Sequence, residues 1–194
     1  MSAFHLYLNL GIQHIADIRG FDHILFLLTL CAVYVISQWK KVLILVTAFT
    51  IGHSLTLVLA TLNIIRISTG LIEFLIPITI FLTCIGNLLQ KSDKISPGIH
   101  LFKYFIALFF GLIHGLGFSN YLRSLLGKEE SMVGPLFAFN LGLEVGQIMI
   151  VLVILALTWI LVDLFRMKRR EWNLILSGAG LGISLTLLID RFPY

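Results

Sequence analysis

The chain has 194 residues, of which 58% are hydrophobic and 12% are charged, and its mean hydropathy is +0.99. Soluble domains carry roughly twice this share of charged residues, so the composition excludes a soluble globular protein and predicts an integral membrane protein. The net charge is +4, and the sequence has no run of basic residues interleaved with aromatic residues. The lipid bilayer, and no nucleic acid, is therefore the expected partner surface.

Six apolar stretches follow one another along the chain, and each is long enough to cross a bilayer, which takes about 20 helical residues. The sequence therefore predicts an all-α integral membrane fold, a bundle of about six transmembrane helices in one domain over residues 1–194. Residues 4–17 are apolar but too few to cross, which predicts a short N-terminal interfacial or re-entrant helix. The predicted spans are residues 21–39, 42–64, 69–90, 101–122, 134–163 and 172–190.

The positively charged residues are unevenly divided between the two sets of loops. The connections after the first, third and fifth spans, with one helix edge, hold nine of the 14 cations: Lys40, Lys41, Lys91, Lys94, Lys103, Arg166, Lys168, Arg169 and Arg170. The other side holds Arg19, Arg66, Arg123, Lys128 and Arg191. Because basic loops stay in the cytoplasm, we expect both termini outside, and the inner (plasma) membrane of a bacterium as the location.

Four stretches place ionisable side chains at membrane depth, where a charge costs roughly 2.5–3.5 kcal/mol and normally serves a partner, a cavity or an ion. Each residue alone is compatible with a structural role, but their joint occurrence on four helices favours one site that opens to the outside. The candidate metal ligands are His14, Asp22, His23, His53, His114 and Glu144. The surface residues His5 and His100 are left out of this site.

The fifth span carries the clearest pattern. Asn140, Glu144 and Gln147 are spaced i, i+4, i+7 and form one polar stripe on an apolar helix. Imidazoles with a carboxylate favour zinc, nickel, copper or iron(II) over magnesium or calcium, so we expect a divalent transition metal. The side chains suited to orient the imidazoles by hydrogen bonds are Thr50, Ser54, Asn140 and Gln147.

The remaining spans, the third and the sixth, are predicted to be scaffold, with no role for Glu73 near the outer end of the third. Glycine pairs on the fourth and fifth spans predict close helix packing beside His114. These pairs are Gly111 with Gly115 and Gly142 with Gly146. The two cysteines, Cys31 and Cys84, lie in separate apolar stretches and are expected to be buried and unpaired.

The polar stretches form motifs in a fixed order along the chain. They are Gly11-x-x-His14, Gly20-x-Asp22-His23-Ile-Leu-Phe-Leu-Leu, Phe49-Thr-x-x-His53-Ser-Leu-Thr, Phe110-Gly-Leu-x-His114-Gly-Leu-Gly-Phe118 and Phe139-Asn-x-Gly-x-Glu144-x-Gly-Gln147. Because it carries these motifs in this order, the chain resembles the HupE/UreJ family of small membrane proteins from about residue 10 to residue 150.

The resemblance implies a helical membrane protein of six or seven segments, associated with hydrogenase or urease systems, in a family regarded as nickel or cobalt permeases. It also implies metal handling at the six candidate ligands named above. Hydrogenase-linked members have five residues between the first His and the Asp-His pair, whereas seven separate His14 from Asp22 here. We therefore expect His14 to sit differently in this chain.

Three functions are compatible with these residues. The favoured hypothesis is a permease for Ni²⁺, Co²⁺ or a similar divalent cation, in which Glu144 couples passage to a proton. The alternative is an intramembrane zinc-dependent hydrolase, in which three His hold Zn²⁺ and Asp22 or Glu144 activates water as the catalytic base. The third is a b-type haem protein ligated by His53 and His114, which the adjoining carboxylate disfavours. No pattern in the sequence specifies an oligomeric state.

Overall fold

The computed structural model describes residues 2–90, 97–126 and 132–193, and these residues form helices and connecting loops without any strand. A 3₁₀ turn at Ile36–Gln38 precedes α3, and a π-helical segment at Trp159–Leu164 continues α7. The helices are α1 (Ala3–Ile15), α2 (Asp22–Cys31), α3 (Trp39–Thr61), α4 (Thr69–Leu89), α5 (Pro97–Gly117), α6 (Ser119–Leu126), α7 (Val133–Thr158) and α8 (Arg169–Asp190).

Five helical segments in the described part of the chain are long and apolar enough to cross a membrane. The prediction of an all-helical membrane protein is therefore confirmed. These segments are Ile36–Thr61, Thr69–Leu89, Gly98–Gly117, Val133–Leu164 and Arg169–Asp190.

The first predicted span, residues 21–39, is not one continuous helix. Helix α2 ends at Cys31, and the backbone is extended by Val35, where φ is −118° and ψ is 165°. The side-chain amide of Asn87 on α4 donates to the carbonyl oxygen of Thr29 at 2.7 Å. In a continued helix this carbonyl would accept from the backbone N–H four residues later. Here it accepts from the backbone N–H of Ala32 at 3.3 Å and from Asn87, so it is satisfied where the helix ends inside the apolar bundle.

The segment that begins with α2 nevertheless connects opposite ends of the bundle. Asp22 in the first turn of α2 pairs with Arg191, which follows α8. Tyr34 lies against His100 in the first turn of α5, with 3.3 Å between the hydroxyl oxygen and Nδ1. We call the end with Asp22 and Arg191 the site end. The other, at which α3 and α5 begin, is called the basic end.

Close helix packing positions the elements of the site end. A Cβ on Gly115 of α5 would collide with the carbonyl oxygen of His53 on α3, so only glycine permits this approach. A Cβ on Gly142 of α7 would likewise meet the carbonyl oxygen of Leu8 on α1. The close packing predicted at both glycine pairs is confirmed, and it brings α5 against α3 and α1 against α7.

The main apolar core is formed by residues of α2, α3, α4, α5 and α7. Its aromatic members include Phe26 and Phe49, which stack with 4.8 Å between ring centroids. Cys31 and Cys84 are buried free thiols in the same core, as predicted.

Candidate metal centre

Four imidazoles from four helices meet at the site end. His14 is the penultimate residue of α1, and His23 is the second residue of α2. His53 is the fifteenth of the 23 residues of α3, and His114 lies in the last turn of α5. His23 is at the centre of the group. Its ring centroid lies 4.8 Å from that of His14, 5.2 Å from that of His114 and 5.8 Å from that of His53.

Three of these side chains are spaced to share one ion. His14, His23 and His53 each offer a ring nitrogen, and the three nitrogens lie within 4.8 Å of one another. Nitrogen ligands about 2.1 Å from a tetrahedral ion are about 3.4 Å apart, so small rotations of the rings would close the three around a metal. His114 flanks this triad and contacts His23 edge-on.

Each imidazole of this cluster has at least one ring nitrogen that is buried without a hydrogen-bond partner in the described part of the chain. A buried polar group that lacks a partner costs about 1–3 kcal/mol, and native proteins hold few of them. Five such atoms on four neighbouring rings make this cluster the candidate metal centre. In the described part of the chain they are Nε2 of His14, Nε2 of His23, both ring nitrogens of His53, and Nδ1 of His114.

Thr79 on α4 orients His114. Its hydroxyl oxygen lies 2.7 Å from the carbonyl oxygen of Ile76 and 2.9 Å from Nε2 of His114. The carbonyl can only accept, so we assign the hydroxyl proton to it. His114 then donates its Nε2–H to Thr79 and keeps the lone pair on Nδ1, which faces no other partner. Thr79 lies in the span predicted to be scaffold, and no motif in the sequence marks it.

The four residues predicted to orient the imidazoles bond to one another instead. Thr50 on α3 donates to Oε1 of Gln147 on α7 at 2.5 Å, and Ser54 donates to Oδ1 of Asn140 at 2.7 Å. These two contacts and the one between Thr47 and Glu144 form a line of hydrogen bonds between α3 and α7, which we call the polar seam.

Glu144 belongs to the polar seam and not to the imidazole cluster. Its carboxylate accepts a hydrogen bond from the Thr47 hydroxyl at 2.8 Å. Thr47 precedes His53 by six residues, which is about 9 Å along the axis of α3. The i, i+4, i+7 stripe on α7 therefore faces α3 as one unit, and the structure does not bring Glu144 to the four imidazoles.

A cavity of about 380 Å³ opens beside the imidazoles at the site end, and we call it the vestibule. Asp22 has one carboxylate oxygen paired with Arg191 at 3.0 Å, whereas its other oxygen, Oδ1, is buried without a partner among the residues that the structure describes. Glu73 lines the same cavity, although its position in the sequence suggests no role. The polar lining is completed by His14, Asp17, His23 and His114.

Aromatic rings close the cluster on the side of the basic end. Phe26 follows His23 by three residues on α2, and Phe49 precedes His53 by four on α3. Their ring centroids lie 5.3 Å and 5.1 Å from that of His114. Phe110 on α5 completes this layer, with its ring centroid 6.1 Å from that of Phe26. The site is therefore open toward the vestibule and closed by phenylalanine on the opposite side.

Comparison with known proteins identifies one family. The sequence model of the family described as HupE / UreJ protein matches residues 1–189, which is almost the whole chain. No curated protein and no solved structure matches this chain.

Proposed function

The chain belongs to the HupE/UreJ family, and on that premise we propose that it is a permease for a divalent transition-metal ion such as Ni²⁺ or Co²⁺. The observation that carries the proposal is the meeting of four imidazoles, each with at least one buried ring nitrogen that lacks a partner among the described residues. Imidazole nitrogen is a good ligand for nickel, cobalt and zinc, and a poor one for magnesium and calcium. The metal ion is the substrate in this proposal.

The permease would capture the ion in the vestibule and pass it to the triad. The carboxylates that line the cavity attract a dication, and His14, His23 and His53 replace part of its water shell. A permeating ion must also leave, so the site must bind it with moderate affinity.

We propose six membrane crossings with the site end outside. The sixth crossing would be α2 together with residues 32–38, because Asp22 and Tyr34 contact opposite ends of the bundle. Helix α1 would be re-entrant, packed against α7 without crossing. The loops at the basic end carry most of the cations, which favours the cytoplasmic side for that end and the plasma membrane of a bacterium as the location.

Release toward the basic end requires the aromatic layer to open. Phe26, Phe49 and Phe110 are almost completely buried, so a hydrated ion cannot pass between them in this conformation. Movements of packed helices on the microsecond to millisecond scale are the usual means of such opening. Glu144 on α7 is proposed to couple this step to a proton, since it is a carboxyl at membrane depth on a helix next to the site.

Uptake into vesicles tests the permease directly. Purified protein is reconstituted into vesicles that contain a metal-sensitive dye, and Ni²⁺, Co²⁺ or Zn²⁺ is added outside. We expect uptake by the unaltered protein and at least ~10-fold slower uptake by His53→Ala, because a ligand of the triad is lost. His5→Ala is the matched control, since His5 is an exposed imidazole bonded to Ser2. Equal uptake by His53→Ala and the unaltered protein would refute the proposal.

A zinc-dependent hydrolase within the membrane is the second candidate. The favouring observation is a triad of His beside a cavity, with an unpartnered oxygen of Asp22 in its wall and no opening at the phenylalanine layer. Three His would hold Zn²⁺, and Asp22 would activate a water at the open position. Zinc retained through purification, hydrolysis of a lipid ester or amide that Asp22→Asn abolishes, and no metal uptake would favour the hydrolase over the permease.

A further inference from the structure

The pairing of Asp22 with Arg191 is unlike an ordinary surface ion pair. The only other ion pair in the described residues joins Lys168 and Glu171 within one turn, with side chains 82% and 53% exposed. Asp22 and Arg191 are 14% and 28% exposed, and 169 residues separate them in the chain. This partly buried pair therefore joins the start of α2 to the residue that follows α8.

Arg191 is positioned by two elements at once. It is the residue that ends α8, and its backbone N–H donates to the carbonyl oxygen of Leu187. Its Nη1 lies 3.0 Å from Oδ2 of Asp22 and 3.4 Å from the carbonyl oxygen of Glu73 on α4. The guanidinium is therefore fixed in the wall of the vestibule.

Asp22 has coordination capacity that Arg191 does not use. One oxygen accepts from the guanidinium, whereas Oδ1 is buried and has no partner in the described part of the chain. The next residue is His23, the central imidazole of the cluster. A carboxylate placed in this way can serve either the guanidinium or a metal ion next to His23, and the two cations repel each other strongly because little water separates them.

From this geometry we infer that Arg191 is an exchangeable counter-cation, which holds Asp22 while no ion is bound and must release it when a dication binds. The inference rests on the proposed function and adds to it a residue that determines specificity. A monovalent cation cannot displace the guanidinium from the Asp22 carboxylate, because it has too little charge and binds imidazole nitrogen too weakly. A divalent transition-metal ion is bound favourably both by the Asp22 carboxylate and by the imidazoles of the cluster.

Two consequences follow for affinity and rate. Without the guanidinium, Asp22 is free to bind the ion, and the repulsion between the two cations is gone, so binding becomes tighter. The bound ion then also leaves more slowly, because the competitor that returns to Asp22 is missing. Loss of Arg191 should therefore lower both the half-saturating metal concentration and the maximal rate of uptake, whereas a purely structural defect lowers the rate alone.

The test measures Ni²⁺ binding to the purified full chain by calorimetry, together with uptake into vesicles. Arg191→Gln should tighten binding by about 10-fold or more. Arg191→Lys keeps the charge and should stay within about threefold of the unaltered protein. Arg191→Gln should tighten binding less in the Asp22→Asn background than in the unaltered protein, because only the repulsion between the two cations is then removed. Arg191→Met is the second uncharged variant if Arg191→Gln does not fold.

The outcomes separate this inference from the permease proposal. Unchanged or weaker Ni²⁺ binding by the uncharged variants overturns the role of Arg191, even if the unaltered protein transports metal. Tighter binding without any uptake by the unaltered protein supports the role of Arg191 and refutes the permease. An unaltered protein that binds neither Ni²⁺, Co²⁺ nor Zn²⁺ overturns both.

Discussion

The imidazole cluster and the polar seam are two groups of polar side chains in an otherwise apolar helical bundle, and both involve α3; the cluster is mostly buried, whereas the seam extends to the exposed surface at Thr47. In the seam, each hydroxyl that points from α3 has an acceptor on α7, as Thr50 has in Gln147 and Ser54 has in Asn140. In the cluster, His53 on the same helix has no partner for either ring nitrogen. The two regions are neighbours in sequence and space, yet only one of them is internally satisfied.

The difference shows which polar residues in a membrane bundle need an external ligand. A satisfied pair such as Thr50 and Gln147 holds two helices together and requires nothing else. Unsatisfied imidazoles in the same surroundings are unfavourable for stability unless a ligand completes them. Polarity at membrane depth is therefore a weak indicator of function, whereas polarity without a partner is a strong one.

Replacement of His53 by leucine should have the largest effect on metal binding. His53→Leu removes one of the three triad ligands, so we expect Ni²⁺ affinity to fall by about 100-fold or more. Without metal, thermal unfolding in detergent should show equal or higher stability, because apolar atoms replace two unpartnered nitrogens. Full metal affinity in this variant would mean that the cluster, like the polar seam, is structural and needs no ligand.

Loss of the Thr79 hydroxyl should have an intermediate effect. Thr79→Val removes the acceptor that orients His114, so we expect Ni²⁺ affinity to fall by about 10-fold. Thr79→Ser keeps the hydroxyl and is the matched control, with affinity near that of the unaltered protein. If both variants bind Ni²⁺ equally well, His114 does not need this hydrogen bond for metal binding.

The seam should respond in the opposite way to the cluster. Gln147→Leu breaks the bond with Thr50, which is expected to lower the free energy of unfolding by about 0.6–1.7 kcal/mol, the range for hydrogen bonds between membrane helices. Ni²⁺ affinity should stay within about threefold, because no imidazole loses a partner. Calorimetry measures the Ni²⁺ affinity, and thermal unfolding of the same preparation measures the stability. A large loss of affinity would show that the seam acts on the site.

Glu144→Gln should have the smallest effect at equilibrium. The amide oxygen still accepts from the Thr47 hydroxyl, so stability and Ni²⁺ affinity should stay within about twofold of the unaltered values. Uptake driven by a proton gradient should fall if the carboxyl couples transport to a proton. Comparison of uptake with and without the gradient measures this. A strong loss of Ni²⁺ binding would instead indicate that Glu144 is a metal ligand, as the sequence predicts.

Much of this protein is encoded in local properties of the chain. Runs of apolar residues predict a helical membrane protein, and helical spacing predicts the single polar stripe formed by Asn140, Glu144 and Gln147. The four imidazoles also stand out, because His is costly at membrane depth wherever it occurs. These features depend on residue type and on separations of a few positions, which are visible in any sequence.

Only the tertiary structure decided which partner each polar group has. Asn87, 58 residues away from Thr29, donates to a carbonyl oxygen in the last turn of α2, which ends at Cys31. The stripe on α7 faces Thr47, Thr50 and Ser54, so Glu144 is not with the imidazoles. Arg191 reaches Asp22 across 169 positions. Hydrogen bonds and ion pairs act over about 3 Å, so their partners follow from how the helices pack and not from distance along the chain.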